Sequence, residues 1–151
     1  MRINTRLAAG VAVAMAMAFA ATTSFAVEDT PMSIPGGTYV TTEKAKEHFD
    51  KGALFVDARV ATEYADKHIK GASNVVFKEK YPKVAQTDPE DAFDASKLPG
   101  DKGKPMVFYC NGTPCWKAYK AAAAAIQGGY KSVLWFRDGL PAWVASGYPT
   151  E

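Results

Sequence analysis

Three short runs that are almost wholly apolar, Leu54-Phe55-Val56, Met106 to Tyr109 and Ser132 to Phe136, constrain the fold of this chain more than any other feature. A strand with one wet face alternates apolar and polar residues, whereas a strand covered on both faces reads as a continuous apolar run. Segments of helical character lie between them. Thr41 or Thr42 is placed to cap a helix over Glu43 to Lys51 that Gly52 stops, and Val60 to Asp66 reads as a short helix. Lys117 to Gln127 reads as a longer helix whose Ala121 to Ala125 run allows close approach to a sheet, ended by Gly128-Gly129. Tyr39-Val40 and Ser73 to Phe77 are further strands, Arg137-Asp138-Gly139 a turn, and Leu140 to Ala145 a final short helix stopped by Gly147. Strands alternating with helices in this way predict an α/β fold around a parallel sheet, where ligands bind beyond the carboxyl ends of the strands. The polar stretch Lys78 to Lys104 interrupts the alternation as an insertion, with short helical turns expected around Glu79 to Ala85 and Asp91 to Lys97.

The first 26 of the 151 residues read as something other than fold. Arg2 and Arg6 make a positive start, Leu7 to Ala21 is rich in Ala, Val and Met, and Ser24-Phe25-Ala26 is a small-x-small site before the acidic Glu28-Asp29. This is the pattern of a secretory signal peptide, expected to be cleaved and to direct export, most simply to a periplasm. An uncleaved membrane anchor is the alternative, and the alanine content makes it weakly apolar. Residues 27–38 then form an extended lead-in with Pro31, Pro35 and Gly36-Gly37, and 39–151 form one domain. Of 18 basic residues two lie in the leader, so the remainder balances the 16 acidic ones. That balance offers no field for nucleic acid or an acidic membrane surface.

Both cysteines fall in Cys110-Asn111-Gly112-Thr113-Pro114-Cys115-Trp116, between the Met106 to Tyr109 strand and the Lys117 to Gln127 helix. The amides of a tight loop and the positive end of the following helix favour an anion at the loop's centre. Cys110 is placed there as a thiolate, the form that attacks sulfur, phosphorus or carbon electrophiles. A disulfide that merely staples the loop is the alternative; closing so few residues contributes only about 2 kcal/mol. In an oxidising compartment Cys110 and Cys115 are also each other's only partners, provided their Cα atoms come within about 7 Å.

Other residues invite a role. Arg59 reads as an anion binder or, more simply, as the ion-pair partner of Glu63 or Asp57, pinning the next helix. His68 reads as a turn-ordering residue rather than a general base, and His48 receives no role. Trp116 either covers the sulfur from water or packs, while Trp135 and Trp143 belong to the core. Two cysteines and two distant histidines lack the spacing of a metal site.

The ordered set Leu54-Phe55-Val56-Asp57-Ala58-Arg59, Glu63-Tyr64, His68 to Ala72, Phe108-Tyr109-Cys110 and Asp138-Gly139-Leu140-Pro141-Ala142-Trp143 through Gly147-Tyr148-Pro149 resembles the rhodanese family over nearly all of residues 39–151. The resemblance implies a five-stranded parallel sheet flanked by helices, and an active cysteine after the central strand that accepts sulfane sulfur as a persulfide and hands it to a thiophilic acceptor. Cys110 would then be the sulfur carrier in a ping-pong cycle, with Asn111 to Trp116 lining its cradle. The partners implied are a small sulfur donor and a thiol or other thiophilic acceptor, with no cofactor. The loop departs from the common pattern in carrying no arginine or lysine, which puts thiosulfate turnover in question. Lys117 and Arg137 are the cations nearest to it in sequence. Phosphatase chemistry on a Cys-x5-Arg loop is excluded, because Trp116 stands where the arginine is needed. Cys115 is either a spectator or a resolving thiol. In the latter case Cys110 and Cys115 cycle as a redox pair with a thioredoxin-like reductant. A binding module without turnover is the third reading.

Overall fold

The computed structural model describes residues 29–151. The signal-peptide reading of residues 1–26 therefore lies outside the described residues. The elements in chain order are β1 (Thr38–Tyr39), α1 (Thr42–Asp50), β2 (Leu54–Asp57), α2 (Ala61–Asp66), β3 (Ser73–Asn74), β4 (Phe77–Lys78), β5 (Ala92–Phe93), β6 (Met106–Tyr109), α3 (Lys117–Gln127), β7 (Val133–Phe136) and α4 (Gly139–Ala145), with a 3-10 turn at Ala95–Lys97. Five strands form one parallel sheet in the order β1-β7-β6-β2-β3, with β6 in the centre. Every residue of β6 and β7 is buried, as continuous apolar runs require when helices cover both faces.

The period-two alternation of a strand sorts these runs onto two faces. Met106, Phe108, Val133, Trp135 and Val56 pack with Ala118, Ala121, Ala122 and Ala125 of α3. Val107, Tyr109, Leu134, Phe136 and Phe55 pack on the opposite side with Ala45 of α1 and Leu140 and Trp143 of α4. The small side chains of α3 let it lie close over β6 and β7, and Trp143 fills the other layer, its ring 5.5 Å from that of Phe55 and 5.3 Å from that of Phe49. Thr41 caps α1, its hydroxyl accepting from the Lys44 amide at 3.3 Å.

Three expectations change. Ser73 to Phe77 is not one strand: Ser73 and Asn74 pair with β2, whereas Phe77 and Lys78 turn away to pair antiparallel with Phe93 and Ala92 in a separate ribbon. The turn is made after Val75 and Phe77 have donated to the carbonyls of Asp57 (3.0 Å) and Ala58 (3.1 Å), and Phe77 then meets the Phe93 ring at 5.9 Å. The helical turn expected at Glu79 to Ala85 does not form, because side chains replace the local ladder there: the Lys80 amide donates to Asp91 Oδ1 at 2.7 Å. Asp91 to Lys97 holds strand β5 and then the 3-10 turn, whose Ser96 amide is capped by Asp94 at 3.2 Å.

At the carboxyl end of the sheet α4 opens against the chain that leaves β6. The Leu140 amide donates to the Cys110 carbonyl at 2.9 Å, and Gly139 has φ +64°. A Cβ on Gly139 would collide with the Cys110 carbonyl oxygen and stand 2.7 Å from the Gly112 nitrogen. Gly139→Ala is expected to destabilise the protein by about 3 kcal/mol or more, from both the left-handed backbone and the clash. Urea denaturation measures it, and a loss below about 1 kcal/mol would mean that the turn and the loop slide apart freely.

Candidate active site

The chain leaves β2 toward β3 on one side and β6 toward β7 on the other, so a crevice opens between the carboxyl ends of β2 and β6. Asp57 ends β2, and Cys110 follows β6. Cys110 continues the phase of Met106 and Phe108, so it belongs to the α3 layer and is only 2% exposed. The loop turns at Gly112 (φ +104°), the Cys115 amide donates to the Gly112 carbonyl at 3.0 Å, and α3 begins at Lys117 with no side chain capping its first turn. Cys110 and Cys115 are joined by a disulfide with their Cα atoms 6.4 Å apart, within the range that closure requires. The cysteine pair therefore sits at the positive end of an eleven-residue helix.

Two sets of contacts hold the loop. On the β2 side, Arg59 Nε donates to both carboxylate oxygens of Asp57 (3.0 and 3.1 Å) and Nη2 donates to Asp57 Oδ2 and the Lys67 carbonyl, each at 2.6 Å. Of the two ion-pair partners expected for Arg59, Asp57 is the one it takes. Arg59 Nη1 also reaches Asn111 Oδ1 at 3.4 Å, and Asn111 Nδ2 donates to Glu63 Oε1 at 2.6 Å, so Glu63 binds the loop rather than Arg59. Burial opposes the guanidinium charge, but the hydrogen bonds and charge of Asp57 outweigh it and leave Arg59 above its ordinary pKa. Beneath this pair burial, reinforced by Asp57, pushes the Tyr109 phenol far up, and its neutral hydroxyl accepts the Ile69 amide at 3.1 Å.

On the other side the lead-in takes part. Thr30 is buried; its amide and hydroxyl both donate to the Thr113 carbonyl, at 2.9 and 2.7 Å. Arg137 Nε donates to the Thr30 carbonyl at 3.0 Å and its Nη2 to the same oxygen at 2.6 Å, while the Thr113 hydroxyl reaches Asp29 at 3.1 Å. Arg137, read from sequence as a candidate anion binder, is thus engaged in clamping the lead-in to the loop. Lys117 does reach the crevice. It lines a cavity of about 320 Å³ together with Asn111, Cys115, Trp116, Glu63, Glu79 and Lys83. Lys117 Nζ lies 3.5 Å from Glu79.

His68 is remote from the loop in its contacts: its ring stacks on Tyr64 at 3.7 Å, with Nδ1 2.8 Å from the Tyr64 carbonyl and Nε2 3.3 Å from Glu151. It ties the chain end to the turn before β3. His48 is half-buried on α1. Trp116 is 6% exposed and meets Tyr119 edge to face at 5.5 Å while also lining the cavity, so its packing and its cover of the crevice coexist. Trp135 and Trp143 are both core residues.

Sequence reasoning missed Thr30 and a second buried cation, Lys120. Nothing local marks Thr30, whose partner Thr113 is 83 residues away. Lys120 does leave a signal, as the one charged residue from Ala118 to Gln127. Among the described residues no group of three His, Cys, Asp or Glu is placed to hold a metal, and no helix is long and apolar enough to cross a membrane.

The fold has relatives. A tRNA uridine(34) hydroxylase of Hamiltonella defensa is 32% identical over 112 residues, which is 72% of this chain but only 28% of that protein's length. Among solved structures, a rhodanese-like domain from an Anabaena protein is 25% identical with a TM-score of 0.51, covering 66% of this chain and 99% of that one. A thiosulfate sulfurtransferase from Pseudomonas aeruginosa superposes with a TM-score of 0.57 at 19% identity, over 76% of this chain and 20% of that one, a likeness of fold. The model of the rhodanese-like domain matches residues 41–146, from the cap of α1 to the end of α4, and the chain belongs to that family.

Proposed function

We propose that this chain, exported to the periplasm and cleaved after Ala26, is a single-domain sulfurtransferase that carries sulfane sulfur as a persulfide on Cys110. One observation carries the reading. Cys110 sits at the end of the central strand and at the amino end of α3, with Cys115 in bonding range and a cavity of about 320 Å³ alongside. In the loading step the reduced Cys110 thiolate attacks the outer sulfur of a donor. The donor's S–S bond breaks, its remaining thiolate leaves, and Cys110 holds the transferred sulfur as a persulfide. In the unloading step an acceptor thiolate attacks that outer sulfur and takes it away, and the Cys110 thiolate returns. Neither step requires a cofactor.

The 6.4 Å spacing of the two Cα atoms favours a second branch. Cys115 as thiolate attacks Cys110 Sγ, the inner sulfur of the persulfide; hydrosulfide leaves and the Cys110–Cys115 disulfide remains. A dithiol reductant of thioredoxin type would return both thiols. For the donor, the cavity offers Lys83 and Lys117 against Glu63 and Glu79, so it presents no net positive charge to a dianion. Thiosulfate is accordingly a poor donor, and small polysulfides are better ones. The tRNA substrate named for the Hamiltonella relative stays with that protein, of which this chain spans 28%.

Reduced mature protein treated with polysulfide should gain the mass of one sulfur atom, and Cys110→Ser should gain none while keeping its fold. Sulfur retained at a single site in Cys110→Ser would overturn the carrier assignment; ligand binding without any persulfide in the unaltered chain would favour a binding module. With Cys115→Ser the persulfide should persist and hydrosulfide release should stop, whereas unchanged release would make Cys115 a spectator.

The two cations separate by their contacts. Lys117→Ala should raise the thiosulfate KM by roughly threefold or more. Arg137→Ala, which cuts the lead-in from the loop, should instead lower stability by about 2 kcal/mol, the usual worth of buried hydrogen bonds to a charged group. Steady-state kinetics and thermal melts distinguish these effects, and a thiosulfate KM indifferent to Lys117 would leave anion binding to the loop amides alone.

A further inference from the structure

Lys120 is fully buried on α3, one turn beyond the cysteine loop. A buried ammonium survives only where it is paired and hydrogen-bonded; the hydrogen-bond and ion-pair partners of this one lie in the insertion, and its Nζ also stands 6.0 Å from the centre of the Phe77 ring. Its Nζ donates to the Tyr81 carbonyl at 2.7 Å and lies 3.3 Å from Glu79 Oε2 and 3.8 Å from Asp91 Oδ2. That Glu79 oxygen is itself buried without a hydrogen bond, so Lys120 is the cation beside it, while Lys117 Nζ stands 3.5 Å from the other oxygen of the carboxylate. Asp91 in turn accepts the amides of Lys80 at 2.7 Å and Asp88 at 2.9 Å. The hydrogen bonds and charge of this network hold the Asp91 carboxyl below its ordinary pKa. One cation therefore gathers both arms of the 79–91 segment onto α3.

Those arms form one wall of the crevice. Glu79, Pro82 and Lys83 line the same cavity as Cys115, and Tyr81, between them in sequence, is the residue whose carbonyl Lys120 holds. Residues 79–91 contain no helix or strand, so side chains set the segment's shape: Lys80 Nζ pairs with Glu90 and Asp88 inside it, and Lys120 ties it to α3 with Lys117 Nζ 3.5 Å from Glu79. Resting on the reading of this cavity as the sulfur-transfer site, we propose that Lys120 is a positioning residue: it latches the 79–91 segment over the crevice and so sets the size of the sulfur donor or acceptor that reaches the cysteine pair.

The test uses Cys110→Ser protein, in which Cys115 is the lone thiol, labelled with iodoacetamide or with the much larger N-(1-pyrenyl)maleimide. Rates are referred to those of free glutathione. With Lys120 present the large reagent should be disfavoured, and Lys120→Met should raise the large-to-small rate ratio roughly fivefold or more by local opening. Trypsin should cut after Lys80 and Lys83 about tenfold faster in that variant, while the cut after Lys67 keeps its rate. An unchanged ratio and unchanged cuts in folded Lys120→Met would overturn the latch. Should that variant fail to fold, Lys120→Met/Glu79→Gln also removes the carboxylate that would have lost its Lys120 partner, and the same ratios are read. Loss of fold in both variants would reduce Lys120 to a core ion pair and overturn the positioning role. Neither readout needs turnover. Gating without sulfur loading would therefore sink the sulfurtransferase reading and leave the latch standing.

Discussion

A guanidinium that is 4% exposed stays charged only beside a carboxylate, and Asp57, fully buried at the end of β2, supplies it through three hydrogen bonds from the Arg59 side chain. Removing the acid would leave the cation buried and alone, a loss of about 3–5 kcal/mol. What the pair organises explains its place at the strand end. Arg59 reaches the Lys67 carbonyl after α2 and Asn111 in the cysteine loop, and Asn74 donates to the carbonyls of both Asp57 and Arg59. The crevice between β2 and β6 thus has one rigid bank, to which the loop is moored.

The opposite bank is assembled from parts distant in sequence. The lead-in supplies Thr30, the turn after β7 supplies Arg137, and the start of α4 supplies the Leu140 amide and a glycine small enough to touch the Cys110 carbonyl. Each contact engages backbone rather than a reacting side chain. The loop is thereby fixed in shape while its sulfurs remain free to exchange partners, which suits chemistry that makes and breaks S–S bonds at one position. In transfer that depends on distances between sulfurs, a rigid loop matters more than a strong donor pocket.

The sheet was legible because continuous apolar runs have few solutions, and α3 was legible to its last residue because Trp116 follows a Gly/Pro turn and Gly128 ends an alanine run. The placement of Cys110 on the α3 face follows from counting two residues at a time from Met106. The insertion was legible only in part: a 3-10 turn forms at Ala95–Lys97, inside the stretch where a helical turn was expected, but at Glu79 to Ala85 the contacts come from Asp91 and from Lys120 on another element, and side-chain bonds hold irregular backbone there. Arg137 shows the same limit. Its charge suggested anion binding, but its partner Thr30 lies 107 residues earlier, and no local pattern links the two. The pairing of Cys110 with Cys115 is not legible for a related reason, since four intervening residues that include a proline and a glycine permit several separations.

The unequal exposure of the two cysteines gives the proposed redox branch a direction. Cys110 is buried, whereas Cys115 is half-buried and faces the cavity, so an incoming thiolate meets Cys115 first. Attack there expels Cys110 as the leaving group, at the amino end of α3, where the helix field and loop amides favour the anion. Exchange is faster when the departing thiolate is the stabilised one. Attack on Cys110 would demand opening of the layer that buries it. The reductant's mixed disulfide is therefore expected on Cys115, and the thiolate that next accepts sulfur is the one set free in the same step.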